Sequence, residues 1–162
     1  MVWKPLKPFL AEGANVAVIG TNSARLEAAT HALGGDALVL SADLRNLADI
    51  DRAIGDVAAT FGRIDVLFAN AGVGTAAPLE EATPEMISKQ FALNFTGLFL
   101  TMQKSAPLIP KGGSIVATTS FLNTVGTPGL SLLSATNAAT RSLVRSLAAG
   151  LAPRGIRVEV VV

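Results

Sequence analysis

The stretch Ile64-Asp65-Val66-Leu67-Phe68-Ala69-Asn70-Ala71-Gly72 decides the fold of this 162-residue chain. It starts as a short apolar run of strand-forming residues and ends in a polar turn that contains glycine. Similar runs alternate along the chain with longer segments whose apolar residues recur at helical spacing. This alternation predicts βαβ units, and therefore an α/β fold with a mainly parallel sheet.

The same patterns place the individual elements. Strands are predicted at residues 15–19, 37–41, 64–69, 114–119 and 156–162. Helices are predicted at residues 24–33, 47–61, 83–105 and 132–151. The helix from Thr83 has a capping hydroxyl, Pro84 at its first helical position and an acidic residue in its first turn. Gly62 and Gly155 are expected to end helices.

Composition limits the classes of protein that fit. Half of the residues are hydrophobic and 15% are charged, which predicts one globular domain over residues 1–162. The net charge of +1 gives no reason to expect binding to nucleic acid or to an anionic membrane. Residues 1–10 contain lysines and prolines but no long apolar run, so we expect neither a signal peptide nor a membrane span. A cytoplasmic location is the default expectation.

Several kinds of catalysis lack the residues they need. The chain has no cysteine and one histidine, His31, which the pattern places on a polar helix position. Ser120 therefore has no base nearby for hydrolase chemistry. The carboxylates are scattered along the chain, so no metal site is expected.

Motifs in a fixed order resemble those of the short-chain dehydrogenase/reductase family of NAD(P)-dependent Rossmann enzymes. The matching positions are Asp43 after a strand, Asn70-Ala71-Gly72, Asn94, Ser120, and Gly155-Ile156-Arg157-Val158. The resemblance implies a three-layer Rossmann-like sandwich. It also implies that Asp43, Asn70, Ala71 and Gly72 bind the cofactor and that Ser120 and Asn94 are catalytic.

The family's Tyr-x-x-x-Lys pair is replaced by Leu133 and Asn137, and the chain contains no tyrosine. A phenol beside a lysine can exchange a proton with a carbonyl, because the ammonium lowers the pKa of the phenol. Leucine has no proton to give, and asparagine has no charge with which to shift the pKa of a neighbour. The standard acid–base pair is therefore missing.

The family's first strand and Gly-rich phosphate loop have no counterpart in residues 1–9, where Pro5 and Pro8 are expected to break most of the first helix. The family's last strand and nicotinamide lid have no counterpart either. In the family's strand order the first strand is central. Its neighbours would therefore expose unpaired backbone groups. The sheet could close up, residues 1–10 could extend into the gap, or another chain could supply a strand.

This gap, together with the apolar composition, predicts a rearranged sheet or a homo-oligomer. The helices at residues 84–105 and 132–151 resemble the pair that family members pack across a two-fold axis. They are expected to contribute to the interface between copies.

Each candidate site residue also has a structural interpretation. Ser120 could be a polar residue at a strand end, and Asn94 could bond the backbone across a helix kink. Asp43 could cap the next helix, and Asn70-Ala71-Gly72 could form a packing loop. A further set of polar residues could form a small hydrogen-bonding pocket with Asn94 at the carboxyl edge of the strands. These are Thr118, Thr119, Ser120, Ser131, Ser134 and Asn137.

Three functional hypotheses follow. The main one is a degenerate family member without standard NAD(P)-dependent hydride transfer, which binds the cofactor weakly or not at all. The second is an active oxidoreductase with a non-standard site that uses Ser120. The third is a different enzyme on the same scaffold, such as a hydrolase.

Overall fold

A computed structural model describes residues 6–162. These residues belong to two compact units, which divide between Gly62 and Arg63. Each unit is described by itself below. The single domain expected over residues 1–162 stays a prediction.

The first unit is built from one βαβ repeat with a helix on each side. Its elements are α1 (Lys7–Ala11), β1 (Val16–Gly20), α2 (Ser23–Leu33), β2 (Ala37–Ser41) and α3 (Leu47–Phe61). β1 and β2 are parallel, with Val16 opposite Ala37. α3 buries Ile50, Ala53, Ile54 and Val57, which lie on one face at helical spacing. The predicted bounds of β2 and α3 are confirmed.

Side chains and glycines define the helix ends of this unit. Asn22 accepts a hydrogen bond from the Arg25 backbone N–H at 2.9 Å and caps α2. Asn46 caps α3 in the same way, through the Ala48 N–H. The expectation that Asp43 might be this cap is therefore wrong. Gly62 ends α3 with a φ of +75°, a conformation that costs glycine little.

The expectation that two prolines would break the first helix is wrong for Pro8. Pro8 lies in the first turn of α1, where the backbone N–H that proline lacks has no helical partner in any case. Lys7–Ala11 is helical, so this segment does not extend as a strand. Pro5 and the rest of residues 1–5 lie outside the described residues.

The second unit holds a three-stranded parallel sheet and the long helices. Its elements are β3 (Val66–Ala69), α4 (Pro84–Phe91), a π-helical segment (Ala92–Gly97), α5 (Leu98–Ser105), β4 (Ser114–Thr118), α6 (Ser131–Leu151) and β5 (Arg157–Val161). Short 3₁₀ turns join several of them. The strand order is β3-β4-β5, with Val66 opposite Ser114 and Ser114 opposite Arg157.

The helix predicted over residues 83–105 is interrupted, so that prediction needs correction. Thr83 caps its start through the Met86 N–H, as expected. The backbone then changes from α-helical to π-helical hydrogen bonding from Ala92 to Gly97, and α5 begins after this segment. A π segment inserts one residue into a helix and changes the direction of the side chains within it. Asn94 lies in this segment.

The core of the second unit lies on one face of its sheet. Ile115 and Ala117 of β4 are fully buried and pack with Met102 of α5 and Val144 of α6. Val66 and Phe68 of β3 point to the opposite face, since alternate residues of a strand face opposite sides. They are 62% and 51% exposed. This unit therefore has one covered face and one open face, which carries the apolar Val66 and Phe68 together with the charged Arg157 and Glu159 of β5.

The α/β fold with mainly parallel strands is confirmed, because every described strand pair is parallel. The described strands form two sheets, β1-β2 and β3-β4-β5. Closure of the gap by direct pairing of the strands predicted at 15–19 and 64–69 stays a prediction. A strand supplied by another chain stays a prediction. In the part of the chain that the structure describes, no helix is both long and apolar enough to cross a membrane.

Candidate functional site

A cavity of about 190 Å³ lies in the second unit, where β3 and β4 end. The carboxyl ends of parallel strands are the usual position for ligands in open α/β sheets. The cavity is lined by Asn70, Ala71, Gly72, Val73, Gly74, Asn94, Leu98, Thr118, Thr119, Leu133, Thr136, Asn137 and Thr140. Six of the predicted or family-matched positions therefore come together here with Leu133 and Asn137 of α6.

Asn94 holds the loop that follows β3. Its Oδ1 accepts a hydrogen bond from the Val73 backbone N–H at 2.9 Å, and its Nδ2 donates to the Val73 carbonyl at 2.8 Å. Nδ2 also lies 3.5 Å from Oγ1 of Thr136 on α6. The Asn94 side chain therefore forms hydrogen bonds with the backbone of this loop, and not with the backbone of its own helix as the structural interpretation expected. Both ends of the amide are occupied.

Gln90 is a site residue that the sequence interpretation missed. It is fully buried and lies four residues before Asn94. Its Nε2 donates to the Val73 carbonyl at 2.8 Å, and its Oε1 accepts from the Thr75 N–H at 3.1 Å. The sequence did contain a signal for this residue. Gln90 lies one helical turn before Asn94, and residues i and i+4 of a helix share a face. The two amides together fix the cavity wall.

The remaining polar groups of the cavity are linked in pairs. Thr118 Oγ1 donates to Asn70 Oδ1 at 2.8 Å. Asn137 Nδ2 donates to the Leu133 carbonyl at 2.8 Å, one turn back along α6. The loop also runs close to Leu133, since a Cβ atom added at Gly74 would lie 3.3 Å from Leu133 Cδ2. Leucine therefore fills the side of the cavity where the family carries its tyrosine.

Ser120 has a structural role in this geometry. Its Oγ accepts a hydrogen bond from the Leu122 N–H at 3.4 Å and caps a 3₁₀ turn at Phe121–Asn123. The residues lining the cavity include Thr118 and Thr119 but not Ser120, Ser131 or Ser134. Of the polar cluster expected from the sequence, Thr118, Thr119 and Asn137 reach the cavity with Asn94. The other three do not.

Asp43 lies in the first unit, in the turn between β2 and α3. Its carboxylate accepts hydrogen bonds from the Arg45 guanidinium, the shortest at 2.6 Å, and from the Arg45 backbone N–H at 2.9 Å. These bonds lower the pKa of Asp43 below its ordinary value, and the bonds from the guanidinium have the largest effect. The carboxylate that the family resemblance assigns to adenine is thus occupied by a neighbouring side chain.

The chemistry of the cavity is limited by its uncharged lining. No residue that lines it is Asp, Glu, His, Lys, Arg, Tyr or Cys. Its polar groups are amides and hydroxyls, which do not exchange protons readily near neutral pH. Among residues 6–162, no group of three or more metal-binding side chains is close enough together to hold an ion.

Comparison with known proteins gives the family. The family model described as enoyl-(acyl carrier protein) reductase matches residues 3–162. The oxidoreductase asL5 of Sarocladium schorii is 41% identical over 156 residues, which cover 95% of this chain and 63% of that protein. The chain therefore belongs to the short-chain dehydrogenase/reductase family, and its fold is Rossmann-like.

Solved structures of the family agree. A short-chain dehydrogenase from Burkholderia cenocepacia J2315 in complex with NADP superposes with a TM-score of 0.89 at 31% identity, covering 95% of this chain and 65% of that one. The NADPH-bound short-chain oxidoreductase from Pseudomonas aeruginosa PAO1, described as containing an atypical catalytic center, superposes at 0.90 with 28% identity, covering 96% and 63%. The chain spans somewhat less than two thirds of the length of these relatives.

The residues present do not fit the whole dinucleotide that the family implies. The cavity is smaller than the roughly 300–1,000 Å³ of ordinary ligand pockets. No lining residue is cationic, so the cavity offers no positive charge to a pyrophosphate. The Asp43 carboxylate is already paired with Arg45.

Proposed function

We propose that this chain is an oxidoreductase-family protein that does not carry out the family's tyrosine-dependent hydride transfer. Its cavity would instead serve as a binding site. The observation that carries the proposal is the cavity lining, which contains no titratable side chain at Leu133, Asn137 or elsewhere. Losing a general acid–base alone slows reactions by about 10²- to 10⁴-fold. The poor fit to a dinucleotide predicts that NAD(P) binds weakly or not at all.

An active oxidoreductase is the second candidate. It is favoured by the likeness to the P. aeruginosa oxidoreductase, which holds NADPH and is described as having an atypical catalytic center. In this candidate Ser120 would replace the tyrosine. Its hydroxyl accepts a bond from Leu122 and lies outside the cavity lining, which argues against that role. No residue in the cavity supports a hydrolase.

The first experiment is a fluorescence titration of the purified chain with NADPH and NADH. We expect no saturable enhancement of nicotinamide fluorescence at micromolar cofactor, because no cationic side chain lines the cavity to bind the phosphates. The same samples are assayed for NADPH oxidation with simple ketones and aldehydes. Micromolar binding with turnover that Ser120→Ala abolishes would overturn the proposal in favour of the second candidate.

The missing pair can also be restored. The double variant Leu133→Tyr/Asn137→Lys places a phenol and an ammonium at the two family positions. The control Ala135→Tyr/Ala138→Lys adds the same side chains on exposed positions of α6 outside the cavity. At millimolar NADPH, where a weakly bound cofactor still occupies part of the protein, NADPH oxidation is expected to rise in the first variant and not in the control. Measurable turnover in the unmodified chain, equal to that of the first variant, would contradict the proposal.

We also propose that the chain forms a homo-oligomer. The support is the open face of the second unit's sheet, where the apolar side chains of Val66 and Phe68 are more than half exposed. Parallel sheets are normally covered on both faces, so a second copy would bury this one. The cytoplasmic location expected from the composition stays a prediction.

A further inference from the structure

The two edges of the sheet in the second unit differ in their protection. The strand order β3-β4-β5 makes β3 and β5 the edge strands of this unit. β5 carries Arg157 and Glu159, an ion pair at 3.7 Å whose side chains are 62% and 60% exposed. Charged side chains and prolines on an edge strand oppose pairing with another chain. β3 has neither between Val66 and Ala69, so its edge is the unprotected one.

The backbone of β3 presents hydrogen-bonding groups at this edge. The Ser114 N–H donates to the Asp65 carbonyl at 2.9 Å, so the Asp65 carbonyl points toward β4. Successive residues of a strand direct their backbone groups to opposite edges. The N–H and C=O groups of Val66 and Phe68 therefore point away from β4. No described strand of the second unit pairs with them there.

The side chains of the same two residues are apolar and exposed. Val66 is 62% exposed and Phe68 is 51% exposed, and both lie on the open face of the sheet. An added strand that satisfies the backbone of β3 while burying both side chains needs apolar residues two positions apart. β3 itself has this pattern, with Val66 and Phe68 on either side of Leu67.

We propose that β3 pairs antiparallel with β3 of a second copy, about a two-fold axis at Leu67. In this arrangement Val66 of one copy lies opposite Phe68 of the other, and each such pair exchanges both of its N–H···O bonds. Opposite residues of an antiparallel pair lie on the same face, so Val66 packs against Phe68 of the second copy. The two sheets join into one continuous sheet, and the contact is closed because the same surface is used on both copies.

The two apolar side chains fix the register. An axis at Val66 pairs that residue with itself and leaves Phe68 opposite Ile64. An axis at Phe68 leaves Val66 opposite the polar Asn70. Only the axis at Leu67 pairs the two exposed apolar side chains with each other. The inference rests on the proposed homo-oligomer and specifies the surface that forms it.

Light scattering of two variants tests the edge. Val66→Pro removes the N–H at the open edge but leaves the bonds to β4, because Val66 points away from that strand. We expect the mass to fall from that of an oligomer to the 16.6 kDa of one chain. Val66→Thr keeps the N–H and the β-branched shape, and it is expected to keep the oligomer. An oligomer that survives Val66→Pro would overturn the inference.

Cysteine cross-links test the register independently of the proline variant. The chain contains no cysteine, so each variant carries a single thiol. In the proposed register the Cα atoms of residue 66 and of residue 68 in the second copy are about 5.5 Å apart, which a disulfide spans. Oxidation of a mixture of Val66→Cys and Phe68→Cys chains is expected to give a covalent dimer of the two. Val66→Cys alone is the control and is expected to cross-link at least about tenfold less, because its two thiols are too far apart.

The outcomes separate this inference from the proposed homo-oligomer. Val116 lies on the open face of β4, opposite Phe68 in register. A cross-link in Val116→Cys, with none in the mixture, would show that two sheets pack face to face. That result would overturn the inference and leave the homo-oligomer in place. A mass of one chain without any cross-link would overturn both, and closure of the β3 edge by residues 15–19 of the same chain would give that result. Backbone amide spectra show whether each variant is folded.

Discussion

Two amides one helical turn apart, the buried Gln90 and the half-buried Asn94, hold the cavity wall against α6. Four hydrogen bonds between 2.8 and 3.1 Å connect them to the backbone of Val73 and Thr75. A buried polar group contributes to stability only when it is paired, and removal of one partner leaves the other unsatisfied. The wall therefore depends on residues that carry no charge and touch no reacting atom.

Gln90→Leu is expected to lower the free energy of unfolding by about 2–3 kcal/mol, because the Thr75 N–H loses its only described partner and the Val73 carbonyl loses one of two. Urea denaturation followed by circular dichroism measures the change. Lys89→Ala, at the exposed neighbouring position, is the control and should change stability by less than about 0.5 kcal/mol. Equal effects of the two substitutions would contradict the role given to Gln90.

The pKa of Asp43 gives a prediction for pH dependence. The Arg45 guanidinium, followed by the Arg45 backbone N–H, lowers this pKa below its ordinary value of 3.8. The stabilisation is therefore fully present above that pH and is lost as the pH falls through the lowered pKa. In Arg45→Gln, NMR of the side-chain carboxyl should show the pKa rising toward 3.8. Arg25→Gln is the control, and an unchanged Asp43 pKa in Arg45→Gln would refute the pairing.

At the scale of elements, the helix that carries Asn94 is not uniform. The π-helical segment at Ala92–Gly97 lies between α4 and α5, so Gln90 and Asn94 lie on either side of a change in helix geometry. π segments are often found at functional sites because the inserted residue redirects side chains. Here the redirected amide reaches the loop after β3 instead of its own helix.

Replacement by alanine is expected to have opposite effects on stability at two glycines, one inside α3 and one at its end. Gly55 lies inside the helix, and a Cβ there would meet nothing within 4 Å. Gly55→Ala should therefore raise the free energy of unfolding by about 0.5–1 kcal/mol. Gly62 ends the helix at φ +75°, and Gly62→Ala should lower it by about 1 kcal/mol. Chemical denaturation of both variants measures these changes in the free energy of unfolding. Two changes of the same sign would contradict the assignment of Gly62 to the left-handed end of the helix.

At the scale of the whole molecule, exposed apolar surface is the feature that remains unexplained by the single chain. Val66 and Phe68 lie on the face of β3 opposite the core, and they are accompanied by Val161 of β5 at 43% exposure. Apolar patches of this kind on a parallel sheet mark a surface that is covered in the working assembly.

Multi-angle light scattering should therefore give a mass above the 16.6 kDa of one chain. Phe68→Lys should lower that mass by placing a charge on the open face. Leu79→Lys changes a residue that is 79% exposed on a 3₁₀ turn and is the control. A mass of one chain over a wide concentration range would rule out the homo-oligomer.

Local patterns in the sequence were enough for the elements and the family. The bounds of β2 and α3, the Thr83 cap and the glycine that ends α3 depend on residues within a few positions of one another, and so do the family motifs. The replacement of the Tyr-x-x-x-Lys pair by Leu133 and Asn137 can also be read directly.

Only the tertiary structure decided which residues form the site. The bonds of Gln90 join residues 15 to 46 positions apart, and such distances leave no local pattern in the chain. Ser120 matches a family position but caps a turn, because its nearest bonding partner is two residues away. Burial and long-range hydrogen bonding, which depend on how strands and helices pack, determined which amide groups are committed to the wall of the cavity.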